Sequence, residues 1–181
     1  MIRVLRAADR IAVPWKNGGG ITREVAISPE GSSFDDFDWR ISIAEVRDAG
    51  SFSVFENIDR VLTILEGRLV LGFADRMIEL DTDSAPFAFP GDVSCYGTPI
   101  GGGVMDLNVM VRRGRCAATV RRITGEMTLP SACHVIVIAL SDCDARVGTE
   151  SLSLHARDAI LIENAGGQMS IGASALMIAL N

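Results

Sequence analysis

Asp106-Leu107-Asn108-Val109-Met110-Val111-Arg112 and, earlier, Trp39-Arg40-Ile41-Ser42-Ile43-Ala44 alternate their side chains with a period of two. That period predicts β-strands whose successive residues point to opposite faces. In the later stretch Leu107, Val109 and Val111 share one face; Asp106, Asn108, Met110 and Arg112 share the other. In the earlier one Trp39, Ile41 and Ile43 oppose Arg40 and Ser42. Between the two lie short apolar runs at 61–65, 68–73, 77–80 and 86–89, separated by Gly, Asp or Pro. Long amphipathic helical windows are absent, and the glycines gather at turns, notably 18–20 and 101–103. Many short strands with such turns predict an all-β sandwich or barrel.

The composition sets outer limits. At 48% hydrophobic and 22% charged residues, the 181-residue chain is too apolar to be disordered. Its longest apolar run, 135–140, is far short of the ~20 residues that span a bilayer. Charge in Met1-Ile2-Arg3-Val4-Leu5-Arg6 breaks any secretory leader, so a cytoplasmic protein without membrane partners is expected. The net charge of −6 argues against direct nucleic-acid binding, because phosphate contacts need a basic footprint. The compact basic cluster is Arg112-Arg113-Gly114-Arg115, with Arg121-Arg122 behind it. Cys95, Cys116, Cys133 and Cys143 form no Cys-x-x-Cys pair, and reduced, mostly buried thiols are expected. His134 and His155 are the only histidines.

An internal repeat is suggested by placing Val61-Leu62-Thr63-Ile64-Leu65 over Val135-Ile136-Val137-Ile138-Ala139, an offset of 74. It divides the chain into 1–114, the better decorated half with the expected pocket, and 115–181, joined as one compact unit.

Several residues suit ligand binding. Trp15-Lys16-Asn17-Gly18-Gly19-Gly20 combines an aromatic plate, a cation and an amide with glycines that let backbone approach closely. The same run also reads as a hairpin with Trp15 packed on the barrel. Arg40, Arg60 and Arg112 lie in strand-like sequence, and each guanidinium could hold a carboxylate by two parallel bonds. Equally, Asp59 and Asp106 could pair with Arg60 and Arg112 as structural partners. Asn108 and Met110 share a face with Arg112, and Thr22, Ser42 and Thr63 add hydroxyls. Such a set fits a small mono- or dicarboxylate. Glu24, Glu45 and Glu66 offer acid–base chemistry instead.

Leu65-Glu66-Gly67-Arg68-Leu69-Val70-Leu71 and Phe89-Pro90-Gly91-Asp92-Val93 resemble the two signatures of a cupin, a small antiparallel barrel. The histidines that hold metal in many cupins are missing from both, so no metal and no cofactor are expected. A more specific resemblance lies in Val13-Pro14-Trp15-Lys16-Asn17-Gly18-Gly19-Gly20-Ile21-Thr22-Arg23-Glu24, in Trp39 to Ala44, in Asp59-Arg60-Val61-Leu62-Thr63 and in Asp106 to Gly114. These four motifs, in this order, closely resemble the HutD/Ves family. Two departures stand in one loop: Gly50-Ser51-Phe52-Ser53 has Ser where Pro is usual, and Glu56-Asn57 stands where Pro-Gly commonly precedes Ile58-Asp59-Arg60.

The resemblance implies an all-β bicupin, two stacked antiparallel β-barrel (jelly-roll-like) halves with few or no long helices. It implies a non-enzymatic regulator of histidine utilisation that binds a pathway metabolite of the urocanate or formylglutamate type. With the residue reading, the ligand-binding set is Trp15, Lys16, Asn17, Thr22, Arg40, Ser42, Arg60, Asn108 and Arg112, with Arg60 the first choice. The alternative is a metal-free cupin enzyme, an isomerase or hydrolase of a small carboxylate with Glu45 or Lys16 as base. A homodimer is a further expectation.

Overall fold

The computed structural model describes residues 1–181. The chain runs β1 (Ile2–Leu5), β2 (Ala12–Pro14), β3 (Gly20–Ser28), β4 (Trp39–Val46), β5 (Gly50–Ser51) and β6 (Ile58–Glu66). It continues through β7 (Arg68–Gly72), β8 (Met77–Asp81), β9 (Phe87–Pro90), β10 (Tyr96–Pro99) and β11 (Val104–Arg112). The last six strands are β12 (Ala118–Thr128), β13 (Ala132–Ala139), β14 (Cys143–Val147), β15 (Glu150–Leu154), β16 (Ala159–Ala165) and β17 (Gln168–Leu180). Helical structure is confined to a 3-10 turn at Ala7–Asp9. The fold is all-β, as the alternation predicted.

Two compact units share these strands: Ile11–Cys116, and Met1–Arg10 together with Ala117–Asn181. The sequence reading grouped the first ten residues with 11–114. They join the C-terminal unit because β1 pairs antiparallel with β16, Ile2 opposite Ile162. Asp158, 2% exposed, fixes the junction. It accepts hydrogen bonds from Arg6 Nη1 at 2.7 Å, Ala7 N at 2.7 Å and His155 N at 3.0 Å.

The N-terminal unit has a six-stranded sheet in the order β2-β3-β4-β11-β6-β9 and a four-stranded sheet in the order β5-β10-β7-β8. Its interior is filled by Leu62 and Ile64 of β6, Leu69 and Leu71 of β7, Leu80, Phe89, Cys95 and Val104. Each such aliphatic side chain contributes roughly 1.5–3 kcal/mol by leaving water. In the C-terminal unit one curled sheet has the order β1-β16-β13-β17-β14-β15, with β12 also on β17. Val135, Val137 and Ala139 of β13 face its core with Ala175, Met177 and Ala179 of β17.

The pairings repeat. β6 bonds β9 and β11 as β13 bonds β16 and β17, and β7 bonds β8 as β14 bonds β15. The long β17 does the work of two strands, its start lying on β14 as β10 lies on β7 and its end on β13 as β11 lies on β6. An offset of 74 sets Val61 and Thr63 over the core-facing Val135 and Val137, whereas the core-facing residues of β6 are Leu62 and Ile64. A slip of one residue exchanges the two faces of a strand, so the offset is out of step for β6, and Arg60 shares the face of Leu62 and Ile64.

Candidate functional site

The strand register assembles the polar interior of the N-terminal unit. Across β4, β11 and β6, Arg40–Met110–Arg60, Ser42–Asn108–Leu62 and Ala44–Asp106–Ile64 lie in three successive rows of one face. Thr63, expected on that face, is opposite Leu107 and belongs to the other.

Arg60 is 5% exposed. Its Nε donates to Asn108 Oδ1 at 3.4 Å and its Nη1 to the Ser53 carbonyl at 3.2 Å. Its remaining donors are unengaged. Three rings surround the guanidinium, with centroids at 5.1 Å for Phe89, 5.4 Å for Phe52 and 5.7 Å for Phe55. Ring faces attract a cation without neutralising it, so the charge stays available to an anion. Burial lowers its pKa to about 10, opposed by the charge of Asp106.

The segment 52–55 straps this site. Phe52 N donates to the Cys95 carbonyl and Phe55 N to the Gly91 carbonyl, both at 2.8 Å. Gly91 cannot be replaced freely here, because a Cβ would lie 2.8 Å from the Ile58 carbonyl oxygen and 3.3 Å from Arg60 Cδ. Asn57, where the family pattern has glycine, has φ 61. Asparagine is among the side chains that best tolerate that left-handed region.

Asp106 is 1% exposed, and neither carboxyl oxygen has a hydrogen-bond partner. Burial pushes its pKa up to about 7, against the pull of Arg60. Burial also raises the Cys95 thiol, again opposed by Arg60.

The other candidates are engaged elsewhere. The Trp15 ring lies over Gly20, where a Cβ would come within 2.9 Å of it, and Trp15 Nε1 donates to Thr22 Oγ1 at 2.7 Å. Asn17 Oδ1 accepts from Gly19 N at 3.0 Å, and Lys16 is exposed. This run is the hairpin linking β2 to β3. Arg40 pairs with Glu24 at 2.7 Å and covers the Phe34 ring at 4.7 Å; Phe34 in turn stacks on Phe55 at 5.7 Å. Arg112 is spent on the carbonyls of Phe37 and Asp35, each at 2.8 Å. Of the nine residues, Arg60 and Asn108 therefore meet in one site, with Ser42 in register beside Asn108.

The acids distribute differently from the pairings considered in the sequence. Asp59 bonds Arg113 at 2.7 Å, and Arg113 also grips Asp92 at 2.6 Å. Arg23, with Arg47, hydrogen-bonds Glu45 and holds its carboxyl below the usual range, which makes it a weak base. Of the thiols only Cys95 is buried; Cys116 and Cys143 are half-buried and Cys133 is exposed, so the expectation of mostly buried cysteines fails.

Asp106, Cys95, Ser53 and the three phenylalanines were not among the sequence candidates. Alternation put Asp106 on the face of Asn108, but no local signal showed that its carboxyl lacks a partner. A metal centre does not fit this donor set: a guanidinium stands among the polar groups, and no three His, Cys, Asp or Glu side chains converge. The C-terminal unit has a shallow depression of about 560 Å³, lined by Glu126, Asp144, Arg146, Ser151 and Ser170 among others.

Two antiparallel units that repeat one set of strand pairings define an all-β, cupin-like fold. A cupin barrel protein from Leptotrichia buccalis shares the fold, with a TM-score of 0.61 at 7% identity over 93% of this chain and 92% of that one. The model of the HutD family matches residues 7–178, and the chain belongs to that family. The structure of HutD from Pseudomonas fluorescens SBW25 superposes with a TM-score of 0.88 and 31% identity, covering 100% of this chain and 98% of that one. An uncharacterized 21.2 kDa protein of the hutC 3' region in Pseudomonas putida is 31% identical over 90% of this chain and 87% of its own length. Protein Ves of Citrobacter koseri is 41% identical, over 59% of this chain and 56% of that protein.

Proposed function

We propose that the N-terminal unit binds a small carboxylate at Arg60 and that the protein acts without turnover, as a regulator of histidine utilisation responding to a metabolite of the urocanate or formylglutamate type. The carrying observation is the Arg60 guanidinium: buried, surrounded by rings, hydrogen-bonded to neutral acceptors and with donors to spare. A buried cation of this kind accepts an anion with little competition from water. Support for the pathway comes from the relative at hutC and from the HutD structure. Glu45, tied up by arginines, and Lys16, on an exposed turn, give little support to an enzyme.

Calorimetric titration with urocanate and N-formylglutamate tests this. Saturable binding with unchanged ligand is expected. A charge-assisted bond of roughly 1.5–3 kcal/mol means that Arg60→Ala weakens binding by about ten- to a hundredfold. Arg60→Lys recovers part of it, since an ammonium lacks the planar fork. Unchanged affinity in Arg60→Ala overturns the site, and product formation by the wild type overturns the non-enzymatic reading.

A further inference from the structure

We infer that Arg113 is a positioning residue of the carboxylate site: it locks the start of β6 to the turn at 90–92, and through that turn it holds the strap 52–55 over Arg60. The inference rests on the carboxylate reading of Arg60 and adds the residue that keeps the site in shape. Arg113 directly follows β11, yet its guanidinium reaches two segments distant in sequence. Its Nε donates to Asp59 Oδ1 at 2.7 Å and its Nη1 to Asp92 Oδ2 at 2.6 Å. Its Nη2 donates to Asp92 Oδ1 at 3.0 Å and to the Ile58 carbonyl at 3.2 Å. The two bonds to Asp92 are the parallel fork that a guanidinium offers a carboxylate. Arg113 in turn holds the Asp92 carboxyl below the usual carboxylate range.

The acids it grips adjoin the residues that build the site. Asp59 precedes Arg60, and Asp92 follows Gly91. Gly91 is the junction: its N–H donates to the Ile58 carbonyl at 2.7 Å, and its own carbonyl receives the Phe55 amide of the strap at 2.8 Å. Phe89, which lies opposite Arg60 in register, leads into the same turn. The spacing between β6 and that turn therefore sets where the rings of Phe55 and Phe89 stand against the Arg60 guanidinium. Isolated surface ion pairs contribute little, but a bidentate fork joined to a second acid in one network is the exception. The Arg113 side chain is 33% exposed, so this network is also partly withdrawn from water.

The test compares Arg113→Met and Arg113→Lys with the wild type on the full chain, by deuterium uptake at single amides and by titration with urocanate and N-formylglutamate. In Arg113→Met the Phe55 amide is expected to exchange about tenfold faster while the amides of β13, in the other unit, keep their wild-type rates. Affinity for the carboxylate is expected to fall about fivefold. Arg113→Lys keeps the charge but has no fork, and should recover only part of either effect. The loss of affinity should vanish when Arg60→Ala is already present, because a residue that acts through Arg60 then has nothing left to position; a merely structural role subtracts equally from both backgrounds. Should Arg113→Met fail to fold, Asp92→Asn, which keeps one acceptor of the fork, is expected to give the same changes at smaller size. An unchanged Phe55 rate, full rescue by lysine, or an equal loss in the Arg60→Ala background overturns the positioning role while leaving the carboxylate site standing. No binding of either probe to the wild type overturns the carboxylate reading, and the Phe55 rate then decides by itself whether Arg113 holds the strap.

Discussion

The two units repeat one set of strand pairings but fill it differently. In the N-terminal unit, the face of β6 and β11 that bears Leu62 and Ile64 also has Arg60, Asn108 and Asp106; the core face of β13 and β17 has Val135, Met177 and Ala175. The core cluster of the C-terminal unit is aliphatic throughout. Its buried acid, Asp158, lies outside that cluster and is bonded by Arg6, Ala7 and His155. The same topology therefore holds a sheet together with or without interior polar groups, so architecture does not explain why Arg60 and Asp106 are there. Buried side-chain atoms without a partner occur in both units: Thr63 Oγ1 and both Asp106 oxygens in the N-terminal one, Arg10 Nε in the other.

The largest test of that contrast is Ala175→Asp, which puts a carboxyl into the aliphatic core. A loss of roughly 3–5 kcal/mol in urea unfolding is expected. Asp158→Ala, removing the bonded acid, is expected to cost about 2–3 kcal/mol, since three donors lose their acceptor. Asp106→Leu should act in the opposite sense, raising stability by about 1–2 kcal/mol at pH 8, because an unpaired buried charge is removed. Its pH dependence sharpens the point. With the folded pKa near 7 and the usual value at 3.8, the unfolded chain gives up the proton first, so this group's contribution falls as pH climbs from about 4 through 7. Unfolding midpoints of Asp106→Leu should lack that decline. Smallest is Arg40→Met, expected to cost about 1 kcal/mol through its lost ion pair and ring contact. Its carboxylate affinity, measured by titration, should stay within about twofold, an error bar of a few tenths of a kcal/mol.

Much of the fold was legible because β-structure writes itself locally. The alternation in Trp39 to Ala44 and Asp106 to Arg112 gives both strands, and these pair directly, Val111 opposite Trp39. The repeat was visible but off by one, because apolar strands such as Val61–Leu65 and Val135–Ala139 look alike in either register, and only the hydrogen bonds fix the face. The site was half legible. Arg60 and Asn108 could be picked by residue type. That Arg112 answers to the carbonyls of Asp35 and Phe37, and Asp59 to Arg113, depends on loops brought together from distant sequence. The tryptophan–glycine run, the most distinctive in the chain, shapes a hairpin in which Gly20 admits the ring of Trp15.

The strap over Arg60 has a kinetic consequence. The Phe52 and Phe55 amides, bonded to the carbonyls of Cys95 and Gly91, must be released whenever 52–55 lifts, and only then can they exchange hydrogen with water. Their deuterium uptake accordingly clocks the opening of the barrel. A ligand seated on Arg60 that holds 52–55 in place should slow both exchanges together.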